Sequence, residues 1–117
     1  MGASAQSLVH EALLGEAAAT AGAAVFVSDD ALHYVAVNDA ACTLLGCSRD
    51  DLLGLRVDDV VERPTPYLAE AAREVADGRV RAGTTSLRRL DGSTLPVQYV
   101  SIPATVAGLA YVLTVAW

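Results

Sequence analysis

The sequence predicts an α+β domain built on an antiparallel sheet, with helices inserted between an early pair of strands and a late run of three. Three observations carry this expectation. The segment from Tyr34 to Gly54 (YVAVNDAACTLLGCSRDDLLG) reads as a strand followed by two short capped helices, each closed by a glycine. Thr65 to Gly78 distributes apolar and charged residues at helical spacing. From Val80 onward the period drops to two, and Asp91-Gly92 lies between two such stretches as a hairpin signal.

The elements follow in chain order. From Ser4 to Ala21 the residues are helix formers, with Leu8, Ala12, Gly15 and Ala19 along one stripe and Val9, Leu13 and Glu16 beside it. Gly22 supplies the stop, so a flanking helix is expected over residues 1–22 and the main domain over 23–117. Ala23 to Ser28 is a first strand, and Asp29-Asp30 opens a polar turn toward the next. That short connection favours a hairpin. Tyr34 to Val37, aromatic or β-branched around Ala36, is the second strand.

Asn38 ends that strand and offers a side-chain oxygen to the free N–H groups of the following helix. Ala41, Leu44 and Leu45 share one helical face, and Gly46 supplies a left-handed stop. Ser48 with Asp51 repeats the capping signal, and Gly54 repeats the stop. Val57 to Glu62 is one short turn carrying Val57, Val60 and Val61. In the longer helix, Thr65 is the expected N-cap and Pro66 the first helical residue. Leu68, Ala72 and Val75 make its buried face, Glu70, Arg73, Glu74 and Asp77 its wet face, and Gly78 its end. Three strands complete the chain: Thr84 to Leu90, Thr94 to Ile102 across a tight primed Asp91-Gly92 turn, and Leu109 to Trp117 across a turn near Ala107-Gly108. The last strand is apolar on both faces, so both must be covered.

At 117 residues the chain is one domain. Up to Glu62, ten acidic residues face only Arg49 and Arg56, whereas from Arg63 onward six arginines face Glu70, Glu74, Asp77 and Asp91. There is no lysine, and an acidic chain without a concentrated basic surface is not expected to bind nucleic acid. Ala17 to Val27 is the longest apolar run; it is broken by Gly22 and too short for a membrane span. The MGASAQS start lacks the basic and leucine-rich regions of a secretion signal, so the expected location is the cytoplasm. Cys42 and Cys47 match neither a zinc pair nor a redox C-x-x-C, and read as small buried hydrophobes.

With these elements in place, Asn38 to Gly54 resembles the core of a PAS domain, whose second strand runs through an Asn into a short helix and a G-[YC]-[ST]-x-x-[DE]-L-[LI]-G segment. Asp91-Gly92-Ser93 followed by Leu95-Pro96-Val97 is similar to the same family's D-G-[ST]-x-[FIL]-P-V turn. The resemblance covers the chain from about Gly22 to its end. It implies a PAS fold: a five-stranded antiparallel sheet of order 2-1-5-4-3, with short helices and one longer helix on one face. Profilin-like sheets and small α+β enzymes would share the elements without accounting for Asn38 to Gly54.

A catalytic reading needs a nucleophile or proton carrier beside a partner. Only His10 and His33 offer imidazoles, each in an expected exposed position, and no nucleophile elbow, phosphate-cradling loop or H-E-x-x-H pattern is present. Asp29-Asp30, Asp50-Asp51 and Asp58-Asp59 sit at turns or helix starts, where carboxylates cap free N–H groups; no metal site is expected. No catalytic residue is assigned, and the chain is expected not to be an enzyme. Resemblance to blue-light flavin members would place a reactive cysteine after Gly54, where Val57 stands. Resemblance to haem-binding members would place an axial histidine on the long helix, and Pro66 to Asp77 contains none. Gln98 is the only amide side chain on the last strands, so no cofactor is evident.

By periodicity the inward positions are Val25, Val37, Leu45, Val57, Val60, Leu68, Ala72, Leu87, Tyr99, Tyr111 and Leu113. They line either a closed core or, if the Ala- and Val-rich interior is under-filled, a cavity for a small apolar ligand. Val100, Ile102, Val112 and Ala116 would then form an apolar strip on the opposite face. With Leu8, Ala12, Gly15 and Ala19 of the flanking helix, that strip is the expected homodimer interface, unless the helix simply folds back on its own sheet. The resemblance implies a sensory or dimerisation module of a larger bacterial signalling protein carrying an effector domain. The alternative is a stand-alone protein of the same fold binding a small molecule, such as a non-covalent flavin or a lipid-like compound.

Overall fold

The computed structural model describes residues 22–117, so the expected flanking helix, with Leu8, His10, Ala12, Gly15 and Ala19, lies outside the described residues. The elements are β1 (Ala24–Ser28), β2 (Tyr34–Val37), α1 (Asp39–Leu45), α2 (Arg49–Leu53), α3 (Val57–Val60), α4 (Thr65–Ala76), β3 (Arg81–Arg88), β4 (Thr94–Val106) and β5 (Leu109–Ala116). The strands form one antiparallel sheet in the order β2-β1-β5-β4-β3, as the resemblance implies, and α4 packs against β4 and β5.

Asn38 is the joint between sheet and helices. Its Oδ1 accepts from the Ala41 N–H at 2.9 Å, which caps α1, and also from the Val25 N–H at 3.0 Å. Its Nδ2 donates to the Ala23 carbonyl at 3.0 Å, and its own N–H to the Val25 carbonyl at 3.1 Å. The side chain thus continues the β1–β2 ladder for one more residue while the backbone turns away into α1. Ser48 caps α2 by accepting from the Asp51 N–H at 3.1 Å, and Gly46 ends α1 at φ 68°.

Three local expectations are corrected. Gly54 ends α2 with φ −88°, not left-handed, because the Gly54 N–H donates to Asp51 and the Leu55 N–H to Leu52, closing the turn. Pro64, not Thr65, is the N-cap of α4; the Thr65 hydroxyl instead donates to Asp58 at 3.1 Å, tying α4 to α3. The β3–β4 connection is a three-residue Leu90-Asp91-Gly92 turn, with Arg89 N–H to Ser93 carbonyl at 2.7 Å and only Gly92 at positive φ. The primed geometry belongs to Ala107-Gly108, where both residues have positive φ, 53° and 78°. That two-residue turn sets the β4–β5 register.

In that register Tyr99 faces Ala116, Ser101 faces Thr114, and Val100 and Ile102 face Val115 and Leu113. Residues paired across an antiparallel ladder share a face. On β1, Ala24, Phe26 and Ser28 are buried and pair with Ala116, Thr114 and Val112. The inner face therefore carries Val112, Thr114 and Ala116, whereas Val25, Tyr111 and Leu113 lie on the outer face. For these five positions other than Thr114 the structure reverses the expectation. The reason is that β5 is apolar on both faces, so bulk alone favours turning Tyr111 and Leu113 inward, while a one-residue change of register exchanges the two faces of a strand.

Candidate ligand-binding site

Between α4 and the inner sheet face lies a cavity of about 120 Å³. One wall is aliphatic: Leu68, Ala71, Ala72 and Val75 from successive turns of α4. The opposite wall carries hydroxyls at alternate strand positions, Thr85 on β3, Ser101 on β4 and Thr114 on β5, between Leu87, Val97 and Val112. Phe26, Leu32, Tyr34, Val57 and Val61 contribute the remaining side. Leu32 is fully buried although its φ is 68°. The Asp29 turn holds it there, with Asp29 Oδ1 accepting from the Ala31 and His33 N–H groups, and the Leu32 carbonyl accepting from Val57.

Of the residues expected to line an interior site, the structure brings Val57, Leu68, Ala72, Leu87 and Tyr99 together around this cavity. Val37, Leu45 and Val60 are buried in the core but do not reach it, and Val25, Tyr111 and Leu113 are on the other side of the sheet. Val112, expected at a dimer surface, is a cavity residue; Val100 and Ile102 do occupy the outer face, half-buried. The polar members of the site escaped sequence reasoning. Ser101 and Thr85 were accessible to it, since they alternate with Tyr99 and Leu87.

The hydroxyls differ in how they are satisfied. Ser101 and Thr114 hydrogen-bond each other at 2.7 Å, whereas the Thr85 hydroxyl is buried without a partner. An unpaired buried hydroxyl carries a desolvation penalty of about 1–3 kcal/mol. Burial, with Asp59 and Asp58 nearby, pushes the Tyr34 phenol well above its ordinary range, so it stands as a neutral O–H beside the cavity.

At the mouth, Arg81 donates from Nη1 to Glu74 Oε2 at 2.9 Å and from Nη2 to the Tyr67 hydroxyl at 2.9 Å. Arg63 sits on the same aromatic ring, 5.9 Å from its centroid. Among the described residues no acid–base pair is assembled in the cavity. His33 is exposed beside Asp29 at 3.7 Å, and among the described residues no group of His, Cys, Asp or Glu could hold a metal ion. Val57 offers no thiol and α4 no histidine, so the residues present do not fit a cysteinyl flavin or a His-ligated haem. No helix among the described residues is long and apolar enough to cross a membrane.

A twisted five-stranded sheet of this order, with a pocket beneath one longer helix, is the architecture of PAS sensory modules. The family model for the PAS domain matches residues 22–116, and the chain belongs to that family. No curated protein matches the sequence significantly. Among solved structures it is similar to the PAS domain of an HTR-like protein from Haloarcula marismortui, at 18% identity over 92% of this chain and 96% of that one, with a TM-score of 0.75. A domain of a sensory box sensor histidine kinase/response regulator from Geobacter sulfurreducens matches at 24% identity over 82% of each chain, with a TM-score of 0.70. The LOV domain of a blue-light activated histidine kinase from Erythrobacter litoralis EL346 matches at 17% identity over 81% of this chain and 94% of that one, with a TM-score of 0.64. At these identities the likeness is one of fold.

Proposed function

We propose that this PAS domain is the sensory part of a larger bacterial signal-transduction protein, has no catalytic role of its own, and responds to a small molecule held between α4 and the inner sheet face. The observation that carries this reading is the cavity of about 120 Å³. A cavity of about 150 Å³ lined by Leu, Ile and Phe stays dry and admits benzene. The volume therefore suits one ring or a short branched chain, not the three rings of a flavin or a lipid tail. A ligand there touches α4, β3, β4 and β5 at once, so occupancy can alter how the helix seats on the sheet. Native mass spectrometry of the purified chain, followed by extraction, tests the reading. A co-purifying small molecule, lost when Ala72→Leu fills the space, is the expected result; failure of small apolar probes to bind would overturn it.

A second reading, homodimerisation, is favoured by the outer sheet face. Val25, Val27, Val100, Ile102, Leu113 and Val115 form a continuous half-buried apolar surface there. Contiguous apolar patches of this kind mark interaction surfaces. The two readings use opposite faces of one sheet and are compatible.

A further inference from the structure

The chain has fourteen acidic and eight basic residues, yet among the described residues the cavity wall carries no carboxylate and two arginines, Arg63 and Arg81. This inverts the charge balance of the whole molecule at one place. Both guanidinium groups lie against Tyr67, at 5.9 and 5.5 Å from the ring centroid. Arg81 is held in place by Glu74 and the Tyr67 hydroxyl, with Tyr99 also beside it, and keeps further N–H donors of its five for a ligand. Arg63 forms no ion pair among the described residues. Around Tyr67 the site thus presents two cations against the carboxylate of Glu74, while Asp58 and Asp59 lie near the Tyr34 side.

We propose that the ligand is a small amphiphilic monoanion, with an apolar body of about one ring in the cavity and a carboxylate at the mouth between Arg63 and Arg81. This rests on the reading of the cavity as a ligand site. The planar guanidinium matches a carboxylate in two parallel hydrogen bonds, and such charge-assisted bonds are about twice as strong as neutral ones. Arg81 is already positioned, so little side-chain freedom is lost when it engages the anion. A neutral ligand of the same shape forgoes the charge-assisted bonds, since exposed Arg63 then keeps only water as acceptor, and a cation would meet the two guanidinium groups. The aliphatic α4 wall and the Thr85, Ser101 and Thr114 wall accept the ligand body whatever its charge. Discrimination therefore resides at the mouth.

Benzoate, benzyl alcohol and benzylamine carry one ring with a negative, neutral or positive substituent, and titrating each into the full chain by NMR separates charge from shape. Benzoate is expected to bind about tenfold more tightly than benzyl alcohol, the size of one charge-assisted contact, and benzylamine most weakly, with shifts at Tyr67, Ala72 and Arg81. Arg63→Gln and Arg81→Gln should each erase the benzoate preference while benzyl alcohol still binds, which also shows that the variants fold. Glu74→Gln keeps an acceptor for Arg81 but removes the opposing carboxylate, and should strengthen benzoate binding. Equal affinity for the three probes, or a preference that survives both arginine substitutions, would overturn the anion assignment and leave the cavity a ligand site. Binding by none of the three would overturn both.

Discussion

Replacing Asn38 removes one side chain from three backbone partners, and the size of the loss can be worked from its hydrogen bonds. Asn38→Ala deletes the α1 cap on Ala41, about 1 kcal/mol. It also leaves the part-buried Val25 N–H and Ala23 carbonyl without their partners at 3.0 Å, each worth about 0.5–1.5 kcal/mol. The total is about 2–4 kcal/mol, two to four times what a cap alone would give. For a domain of this size that lowers Tm by about 10–25 °C. Asn38→Asp separates the contributions. It keeps the Oδ1 acceptor for Ala41 and Val25 but turns a carboxylate oxygen toward the Ala23 carbonyl, so it should lose about 1–3 kcal/mol although Asp is as good a cap as Asn. Urea unfolding followed by far-UV circular dichroism measures both. A loss near 1 kcal/mol for Asn38→Ala, or wild-type stability for Asn38→Asp, would refute the bridging role and leave only capping.

Further predictions concern the turns, the cavity and the outer face. Ala107 sits at φ 53°, a conformation that an L side chain without a local hydrogen bond adopts at a cost of about 1–2 kcal/mol, so Ala107→Asn should stabilise by about 0.5–1 kcal/mol in the same unfolding assay. Thr85→Val exchanges an unpartnered buried hydroxyl for a methyl group of equal shape and should stabilise by about 1 kcal/mol; destabilisation would show that the hydroxyl has a partner in solution. Ile102→Glu should reduce the mass seen by light scattering if the outer face joins two chains, and an unchanged mass with an intact fold removes Ile102 from any interface. Burial alone would raise the Asp58 pKa, but hydrogen bonds from its own backbone N–H and from Thr65, with the Arg56 charge, hold it below the usual carboxylate range. A lowered folded pKa contributes stability that is full above the unfolded value of about 3.9 and is lost as pH falls below that value through the lower folded pKa. Asp58→Asn should therefore flatten the loss of stability below about pH 4, measured by urea unfolding at a series of pH values.

Much of the fold was legible because its signals are local. Asn38, Gly46 and Ser48 act on residues within a few positions, through caps and a left-handed stop, and the switch from helical to alternate spacing near Val80 separates α4 from the strands. The site was legible only in part. Helix faces were placed correctly, as Leu68 and Ala72 show, because the charged residues of α4 leave one apolar side. β5 has no such contrast, so its orientation had to come from pairing. The arithmetic was in fact available: a two-residue turn at Ala107-Gly108 opposes Tyr99 to Ala116, so an inward Tyr99 requires Val112, Thr114 and Ala116 inward.

What the sequence by itself determined is the order of elements, the family and the Asn38 cap on α1, since each depends on residue types at short separations that act on their own backbone, whereas the Asn38 bonds to Val25 and Ala23 came with the β1–β2 pairing. Tertiary structure alone decided which polar and charged groups surround the cavity. Arg63, Tyr67 and Arg81 come from the approach to α4, its first turn and the start of β3, and the hydroxyls of Thr85, Ser101 and Thr114 from three strands. Nothing in their spacing joins them. They meet because register and helix packing bring distant residues to one wall, where their charges and hydroxyls act at distances of a few ångströms.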